Sequence, residues 1–491
     1  MIELESPVFS QKESGAYFTP RNVAQALVAW AIRSSSDRLI DPSCGDGQFI
    51  SAHRNSVGVE QNPLSAEAAM AAAPGALVHQ GDFFSWAAET HERFDCAAGN
   101  PPFIRYQTFK GEMRRRALEF CSKHGVEFSG LTSSWAPFLV ATAALLKPKG
   151  RLAFVVPAEI GHAPYSAPLL DYLVRSFSEV HIIAIRQKLF PSLSEDCWLL
   201  YAEGHGGSTS QIGLTICEQF KPVKRRPKPD FFVDVDEWRS TWSRRLRPYL
   251  LPKSIRDLYA NVADQPDSHR FGDFANIGIG YVSGDNDFFH LRPSEAKRLK
   301  IPSAYLHPAL RNSRAMPAAA ITKATVNEWA RKDDKVLLLR LQRGQDLPAS
   351  VRGYLDSSAG REARLGYKCR NRSPWYAVPD VQIPDLVLSY MSGRSANLVQ
   401  NVAGVTCTNS VHSVRLRDRA LAAKLLPQWS TPFLRLSCEI EGHALGGGML
   451  KLEPREATRL LFPSKKAVGS AQNEALEAAV STLQRWRHYA E

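Results

Sequence analysis

Between residues 20 and 205 the apolar positions change period repeatedly, from helical stripes to short continuous runs and back. From Asn22 to Arg33, the residues Val23, Ala26, Leu27 and Trp30 fall on one stripe and predict an amphipathic helix. Leu39-Ile40 predicts a short strand entering the turn Asp41-Pro42-Ser43-Cys44-Gly45-Asp46-Gly47, and Val57-Gly58-Val59-Glu60 a second buried strand that ends in an acid. An Ala-rich helix is expected around Ala66 to Ala73, then a strand over Ala76 to His79 running into Gly81-Asp82, and another over Phe94 to Ala98. A helix from Ser134 to Leu146 should stop at Pro148-Lys149-Gly150, with strands following at Arg151 to Val156, Val180 to Ile185 and Trp198 to Ala202. Strands alternating with helices at this spacing imply an α/β fold with a doubly wound, mostly parallel sheet.

After the Gly/Ser stretch Gly204 to Ser210 the pattern loses its period. Lys221-Pro222-Val223-Lys224-Arg225-Arg226-Pro227-Lys228-Pro229 is basic and Pro-rich, and reads as a linker. Three parts are therefore expected: a Rossmann-like catalytic domain over 1–220, a linker over 221–230 and a mixed α+β domain over 231–491. The last is expected to end in a helix between about Ser470 and Tyr489.

Charge sharpens this division. Of 491 residues, the first 204 hold 18 Lys+Arg against 21 Asp+Glu, and the remainder 43 against 28. A near-neutral front and a strongly basic back suit a small-molecule domain joined to one that binds a polyanion. Eight Cys without a C-x-x-C pair read as reduced thiols of a cytosolic protein, and give no zinc site. No apolar run reaches the ~18 residues of a membrane span, and the acidic start Met1-Ile2-Glu3-Leu4-Glu5 is unlike a signal peptide.

The candidate chemistry sits at the ends of the predicted strands. Asn100-Pro101-Pro102-Phe103 follows the strand at Phe94 directly. An Asn side-chain oxygen and a carbonyl held by a proline can accept both hydrogens of one planar amino group, and an aromatic ring can stack on its heterocycle. The glycines of the Asp41 turn allow close backbone approach, Glu60 stands where an acid binds a ribose diol, and Asp82 can accept from an adenine amine beside Phe83 and Phe84. With no GKS/T phosphate loop, a nucleoside cofactor fits better than a nucleoside triphosphate.

The series Ala16-Tyr17-Phe18-Thr19-Pro20, Asp41 to Phe49, Gly58-Val59-Glu60, Gly81-Asp82-Phe83 and Asn100-Pro101-Pro102-Phe103 resembles the S-adenosylmethionine-dependent DNA adenine-N6 methyltransferases. The order of the motifs is that of their gamma class, the TaqI methyltransferase family of restriction-modification systems. The match covers the first 200 or so residues. It extends more loosely to Gly278-Ile279-Gly280-Tyr281, Arg372-Ser373-Pro374-Trp375-Tyr376 and Gly446-Gly447-Gly448-Met449.

The resemblance implies roles residue by residue. Tyr17, Thr19 and Asp41 would stand by the methionine end of S-adenosylmethionine, with Gly45 and Gly47 giving backbone access. Glu60 would hold the ribose, and Asp82 with Phe83 the cofactor adenine. Asn100 and the Pro101 carbonyl would hold the target amine of a base flipped from double-stranded DNA, with Phe103 and Phe190 as stacking walls. The family more often has Tyr where Phe103 stands, but stacking does not need the hydroxyl. The densest basic-aromatic cluster, Arg361, Arg364, Lys368, Arg370, Arg372, Trp375 and Tyr376, is expected on DNA.

Other planar amines pose the same problem to the same loop. Cytosine N4, a ribosomal-RNA guanine and a protein glutamine are alternatives, although the cytosine class usually carries Ser in place of Asn100. The glutamine and guanine enzymes generally lack so long a basic C-terminal part. A non-catalytic DNA-binding specificity subunit is a further alternative, against which the intact Asp41, Glu60, Asp82 and Asn100 argue. Partners implied are duplex DNA and a separate cognate restriction endonuclease, with no membrane. The chain carries both catalytic and recognition parts and so suits a monomer. The short N-terminus and the lack of an acid–x–Lys arrangement after Glu453-Pro454 lead us to expect no DNA cleavage by this chain.

Overall fold

A computed structural model describes residues 19–190, 195–222, 225–445, 447–464 and 467–489. Two compact units divide the chain, Met1–Leu250 and Leu251–Glu491.

The first unit is a nine-stranded sheet. Its strands are β1 (Leu39–Asp41), β2 (Ser56–Glu60), β3 (Leu77–Gln80), β4 (Phe94–Gly99), β5 (Leu146–Pro157), β6 (Phe177–Ile185), β7 (Cys197–His205), β8 (Gln211–Cys217) and β9 (Phe231–Asp234), in the spatial order 3-2-1-4-5-7-6-8-9. Strands β1 to β5 run parallel to one another, whereas β7 is antiparallel to both β5 and β6. The order reverses between β1 and β4, which is where open α/β sheets bind ligands, beyond the carboxyl ends of the strands. Near-continuous burial along β1, β2 and β4 to β7 fits a sheet covered on both faces.

Helices α1 (Arg21–Ala31), α2 (Pro63–Ala72), α3 (Phe83–Glu89), α4 (Gly111–Lys123), α5 (Trp135–Ala144) and α6 (Ala167–Ser176) pack around that sheet. The stripe anticipated on α1 is its buried face: Val23, Leu27 and Trp30 lie in one cluster with Leu39, Ala98, Ala153 and Leu199.

Two expectations change. The Pro148-Lys149-Gly150 stop does not follow the helix by a loop; α5 ends at Ala144 and the strand already begins at Leu146. Lys149 turns to φ +64° there, and the pairing of β4 with β5 shifts register between Phe94 and Cys96, so the three residues ride in an irregular strand start. The expected linker over 221–230 lies within the first unit, because β9 adds to the sheet antiparallel to β8 and the unit runs on to Leu250. Arg226 is drawn in with it: its guanidinium pairs with Glu179 at 2.6 Å and lies 5.4 Å from the Trp30 ring centre.

The second unit is mixed α+β, with sheets of five, four and three strands besides a two-stranded pair. In the five-stranded sheet Val411–Leu416 lies between Ala275–Ile279 and Leu386–Ser389, both antiparallel to it. Helices α7 (Ser358–Leu365) and α8 (Tyr367–Arg370) meet at Gly366, and α9 (Pro432–Glu441) packs against the terminal α10 (Asn473–Arg485). Among the described residues no helix is long and apolar enough to cross a membrane, and no cluster of His, Cys, Asp and Glu could hold a metal ion.

Candidate active site

Three carboxylates come from consecutive strand ends at the reversal point. Asp41 closes β1, Glu60 closes β2, and Asp82 follows β3 as the N-cap of α3. Parallel pairing of Asp41 with Gly58 and of Glu60 with Gln80 keeps these ends in step.

Asp41 is buried, with one carboxylate oxygen accepting the Ser43 N–H at 3.1 Å and the other without a hydrogen-bond partner. Burial, helped by the negative charge of Glu60, pushes its carboxyl up to about 8 against the bonding from Ser43. An orphaned buried acceptor at a strand end is a place for a cationic or hydrogen-donating ligand.

Glu60 reaches back over the glycine turn. Its two oxygens accept from the N–H groups of Gly45 at 2.9 Å and Asn62 at 2.7 Å. Each oxygen keeps a further lone pair for a hydroxyl. Gly47 has φ +91°, and a Cβ there would come within 3.1 Å of the Ala69 backbone, so the turn needs glycine on both counts. One oxygen of Asp82 takes both the N–H and the hydroxyl of Ser85, at 2.9 and 2.7 Å, which fixes the carboxylate at the helix start. Phe83 is 3% exposed, its ring stacked on Phe138 with centroids 5.2 Å apart, so it lines the wall from within the core.

The Asn100 loop lies against the same turn. The Ser43 hydroxyl donates to the Asn100 carbonyl at 3.3 Å, and a Cβ on Gly99 would stand 2.6 Å from the Asp41 carboxylate. Beyond Asn100 the backbone is held by Ser134, at the start of α5. Its hydroxyl donates to the Pro102 carbonyl and accepts the Ile104 N–H at 3.0 Å, and its own N–H returns to the Ile104 carbonyl at 3.0 Å. Phe103, between these two anchors, packs against the buried cluster that contains Phe190. Thr19 is buried ahead of α1, and Tyr17 lies outside the described residues.

Sequence reasoning passed over Ser43, Gly99 and Ser134. It also missed Arg105, which pairs with Glu195 at 2.5 Å and so ties the Phe103 loop to the segment after Phe190. The run Thr132-Ser133-Ser134 was the available signal, since three consecutive hydroxyls exceed the single cap a helix start requires.

In the second unit, the residues of the basic-aromatic cluster divide. Arg361, Arg364, Lys368 and Arg370 are exposed on α7 and α8. Arg372 is turned inward, donating to the carbonyls of Val282 and Ser283 at 2.6 Å each. Trp375 packs with Phe288 and Phe289, and half-buried Tyr376 lies beside it.

Comparison with known families shows which family the chain matches. The family described as the C-terminal domain of Type II methyltransferase M.Eco57I matches residues 243–490, which is half of the chain, and the Eco57I restriction-modification methylase family matches residues 54–190. The chain belongs to the Eco57I-type restriction-modification methylases.

Relatives of this methylase include Type II methyltransferase M.AccI of Acinetobacter calcoaceticus, 19% identical over 91% of this chain and 85% of that protein. Another is M.XamI of Xanthomonas campestris pv. amaranthicola, 22% identical over 92% of this chain and 85% of that protein. Among solved structures, the Type IIL restriction-modification enzyme MmeI in complex with DNA is similar in fold. Its TM-score is 0.52 at 14% identity, over 94% of this chain and 66% of that one. The type IIG restriction endonuclease BpuSI aligns with a TM-score of 0.41 and 16% identity, and this chain spans 61% of its length. The methylase is thus a DNA methyltransferase of the restriction-modification class, with S-adenosylmethionine as its methyl donor. The donor set at the strand ends fits that molecule: an orphaned buried carboxylate for an ammonium group, and two carboxylates with spare acceptors for hydroxyls and an amine.

Proposed function

We propose that this methylase is a gamma-class enzyme that methylates N6 of an adenine flipped out of duplex DNA. The observation that carries the reading is the meeting of the Asn100 loop with the Asp41–Gly47 turn through Ser43, with Phe103 and Phe190 on one cluster beside it. In this reading the loop supplies an amine acceptor, and the cluster two aromatic walls, at the cofactor end of the sheet.

Bound S-adenosylmethionine supplies an electrophilic methyl group on a sulfonium. Asp41 and Thr19, with Tyr17, hold its amino-acid end, the Gly45 and Gly47 backbone admits it closely, Glu60 holds its ribose hydroxyls, and Asp82 accepts from its adenine against the wall backed by Phe83. Asn100 Oδ1 and the Pro101 carbonyl accept the two hydrogens of the target amine. They favour a tetrahedral nitrogen and take up its developing positive charge. An aromatic amine is a poor nucleophile because its lone pair is shared with the ring, and these acceptors localise it. Its proton leaves after attack, so no strong base is required. Phe103 and Phe190 hold the base between them once it has left the stack, and alignment supplies much of the rate.

Arg361, Arg364, Lys368 and Arg370 provide phosphate contacts, while the inward contacts of Arg372 and Trp375 hold their helices in place. A cognate restriction endonuclease on a separate chain, action as a monomer and a cytoplasmic, nucleoid-associated location complete the reading.

The test is methylation of plasmid DNA with tritiated S-adenosylmethionine, followed by single-molecule sequencing of the product. Label at adenine within a fixed sequence is expected. Label at cytosine would replace the target base, and label found only in RNA or protein would overturn the reading.

A further inference from the structure

The junction of α7 and α8 puts its apolar groups outside. Leu365 is 76% exposed and Tyr367 66%, on either side of Gly366. The Tyr367 ring has Lys368 Nζ at 5.8 Å and the Arg370 guanidinium at 5.5 Å from its centre. Arg364, Lys368 and Arg370 are all exposed, and none of the three forms an ion pair among the described residues. Arg364, Leu365 and Arg370 also line one recess of about 580 Å³, together with Pro374 and Trp375.

The knuckle is firmly mounted. Cys369 is fully buried under the Ser283 carbonyl, and a Cβ on Gly284 would stand 2.8 Å from its sulfur. Arg372 clamps the same loop through the carbonyls of Val282 and Ser283, and Asn371 Nδ2 donates to the Tyr367 carbonyl at 2.7 Å. Inward anchors therefore alternate with outward groups along one short segment. Two large apolar side chains side by side at the surface gain free energy when a partner covers them. Three exposed cations that form no ion pair among the described residues stand beside that apolar pair, and together they suit a polyanion with phosphates for the charges and stacked bases for the apolar groups.

We propose that Leu365 and Tyr367 form a wedge that packs into a groove of duplex DNA against the bases, while Arg364, Lys368 and Arg370 hold the flanking phosphates. The proposal rests on the reading of the chain as a DNA methylase and adds a mode of engagement to it. Side chains of this kind partly unstack a base step, and base–aromatic packing is tolerant of sequence. The knuckle then contributes affinity and deformation, and leaves sequence choice to other residues.

The two kinds of contact respond differently to salt. Lys and Arg on phosphates release counterions, whereas apolar packing on bases releases none. The experiment measures binding of the full chain to a short duplex containing one site mapped in the plasmid assay, across a salt series. Leu365→Ala and Tyr367→Ala are expected to weaken binding roughly tenfold each, with the slope of log affinity against log salt unchanged. Arg364→Ala, Lys368→Ala and Arg370→Ala should each lower that slope by about 0.9. All five positions are exposed, and thermal melting verifies that the variants fold. Wild-type affinity in Leu365→Ala and Tyr367→Ala, or an unchanged slope in the three cation variants, would overturn the proposal while the methylase reading stands. Loss of self-association in place of DNA binding would overturn it in favour of a protein interface. A wild-type chain that neither binds nor methylates duplex DNA would sink the underlying reading itself.

Discussion

Ser134 and Ile104 exchange two hydrogen bonds of 3.0 Å, the Ile104 N–H to the Ser134 hydroxyl and the Ser134 N–H to the Ile104 carbonyl. The same hydroxyl donates to Pro102, so both peptide groups that flank Phe103 are fixed by one fully buried side chain. Phe103, the proposed base wall, is thereby attached to the start of α5 instead of depending on the loop for its own rigidity.

Ser134→Ala leaves the Ile104 N–H and the Pro102 carbonyl without that partner, at a cost of about 1–3 kcal/mol. We expect kcat to fall roughly tenfold or more as Phe103 loses its position, with KM for the cofactor unchanged. Because Ser134 acts through the ring, Ser134→Ala combined with Phe103→Ala should be no slower than Phe103→Ala alone. Additive losses in that double-mutant cycle would show an independent role.

In the proposed mechanism, Asn100→Ala removes one of the two acceptors on the target amine. Its main-chain carbonyl, bonded by Ser43, is kept. Loss of one preorganised acceptor of this kind costs about 10²–10³ in kcat. Cofactor affinity, measured by calorimetry, should stay within a small factor of wild type. A variant with full methyl transfer would remove Asn100 from the chemistry.

Asp41 gives a signed pH dependence. Its carboxyl titrates at about 8 in the folded chain and at an ordinary 3.8 when exposed, because burial penalises the charge. Between those values the folded state holds a proton that the unfolded state has lost, so this group's contribution to stability is full below about 4 and is lost as pH rises through 8. Wild type should therefore lose more stability than Asp41→Asn between pH 5 and 8.5 in calorimetric scans. If the cofactor ammonium sits at Asp41, binding at pH 7 should also release about one proton, read from enthalpies in buffers of different ionisation heat.

The sheet of the first unit was largely readable because its signals are local. Each buried strand is a run of apolar residues whatever its neighbours do, and the turn at Gly45 and Gly47 must be glycine for backbone reasons alone. What could not be read are partner choices made across the chain. Ser134 stands where a helix cap is expected, yet makes no cap bond and serves the Pro102–Ile104 segment instead. Arg226 looks like linker charge but pairs with Glu179, 47 residues away. Arg372 and Trp375 share the composition of their exposed neighbours, and only packing turns them inward. The strands β8 and β9 were hidden by the Gly/Ser and Pro-rich stretches that precede them, which read as loop.

Arg487 makes the last prediction, since nothing in its exposed-looking setting, Arg485-Trp486-Arg487-His488, marks it as core. It is 0% exposed and faces Glu439, 2% exposed, with a shortest contact of 2.7 Å. Its remaining hydrogens go to the carbonyls of Gly393, at 2.6 Å, and Gly448. The guanidinium thus joins the chain end to α9 and to two glycine loops, and it is almost fully hydrogen bonded. Removing one partner of such a pair leaves the other buried and uncompensated, at about 3–5 kcal/mol. Arg487→Met should therefore lower the melting temperature of the second unit by several degrees or more. The Glu439→Gln/Arg487→Met double variant should recover part of that loss, because no charge is left stranded. A single variant that melts like wild type would mean that water already reaches the pair.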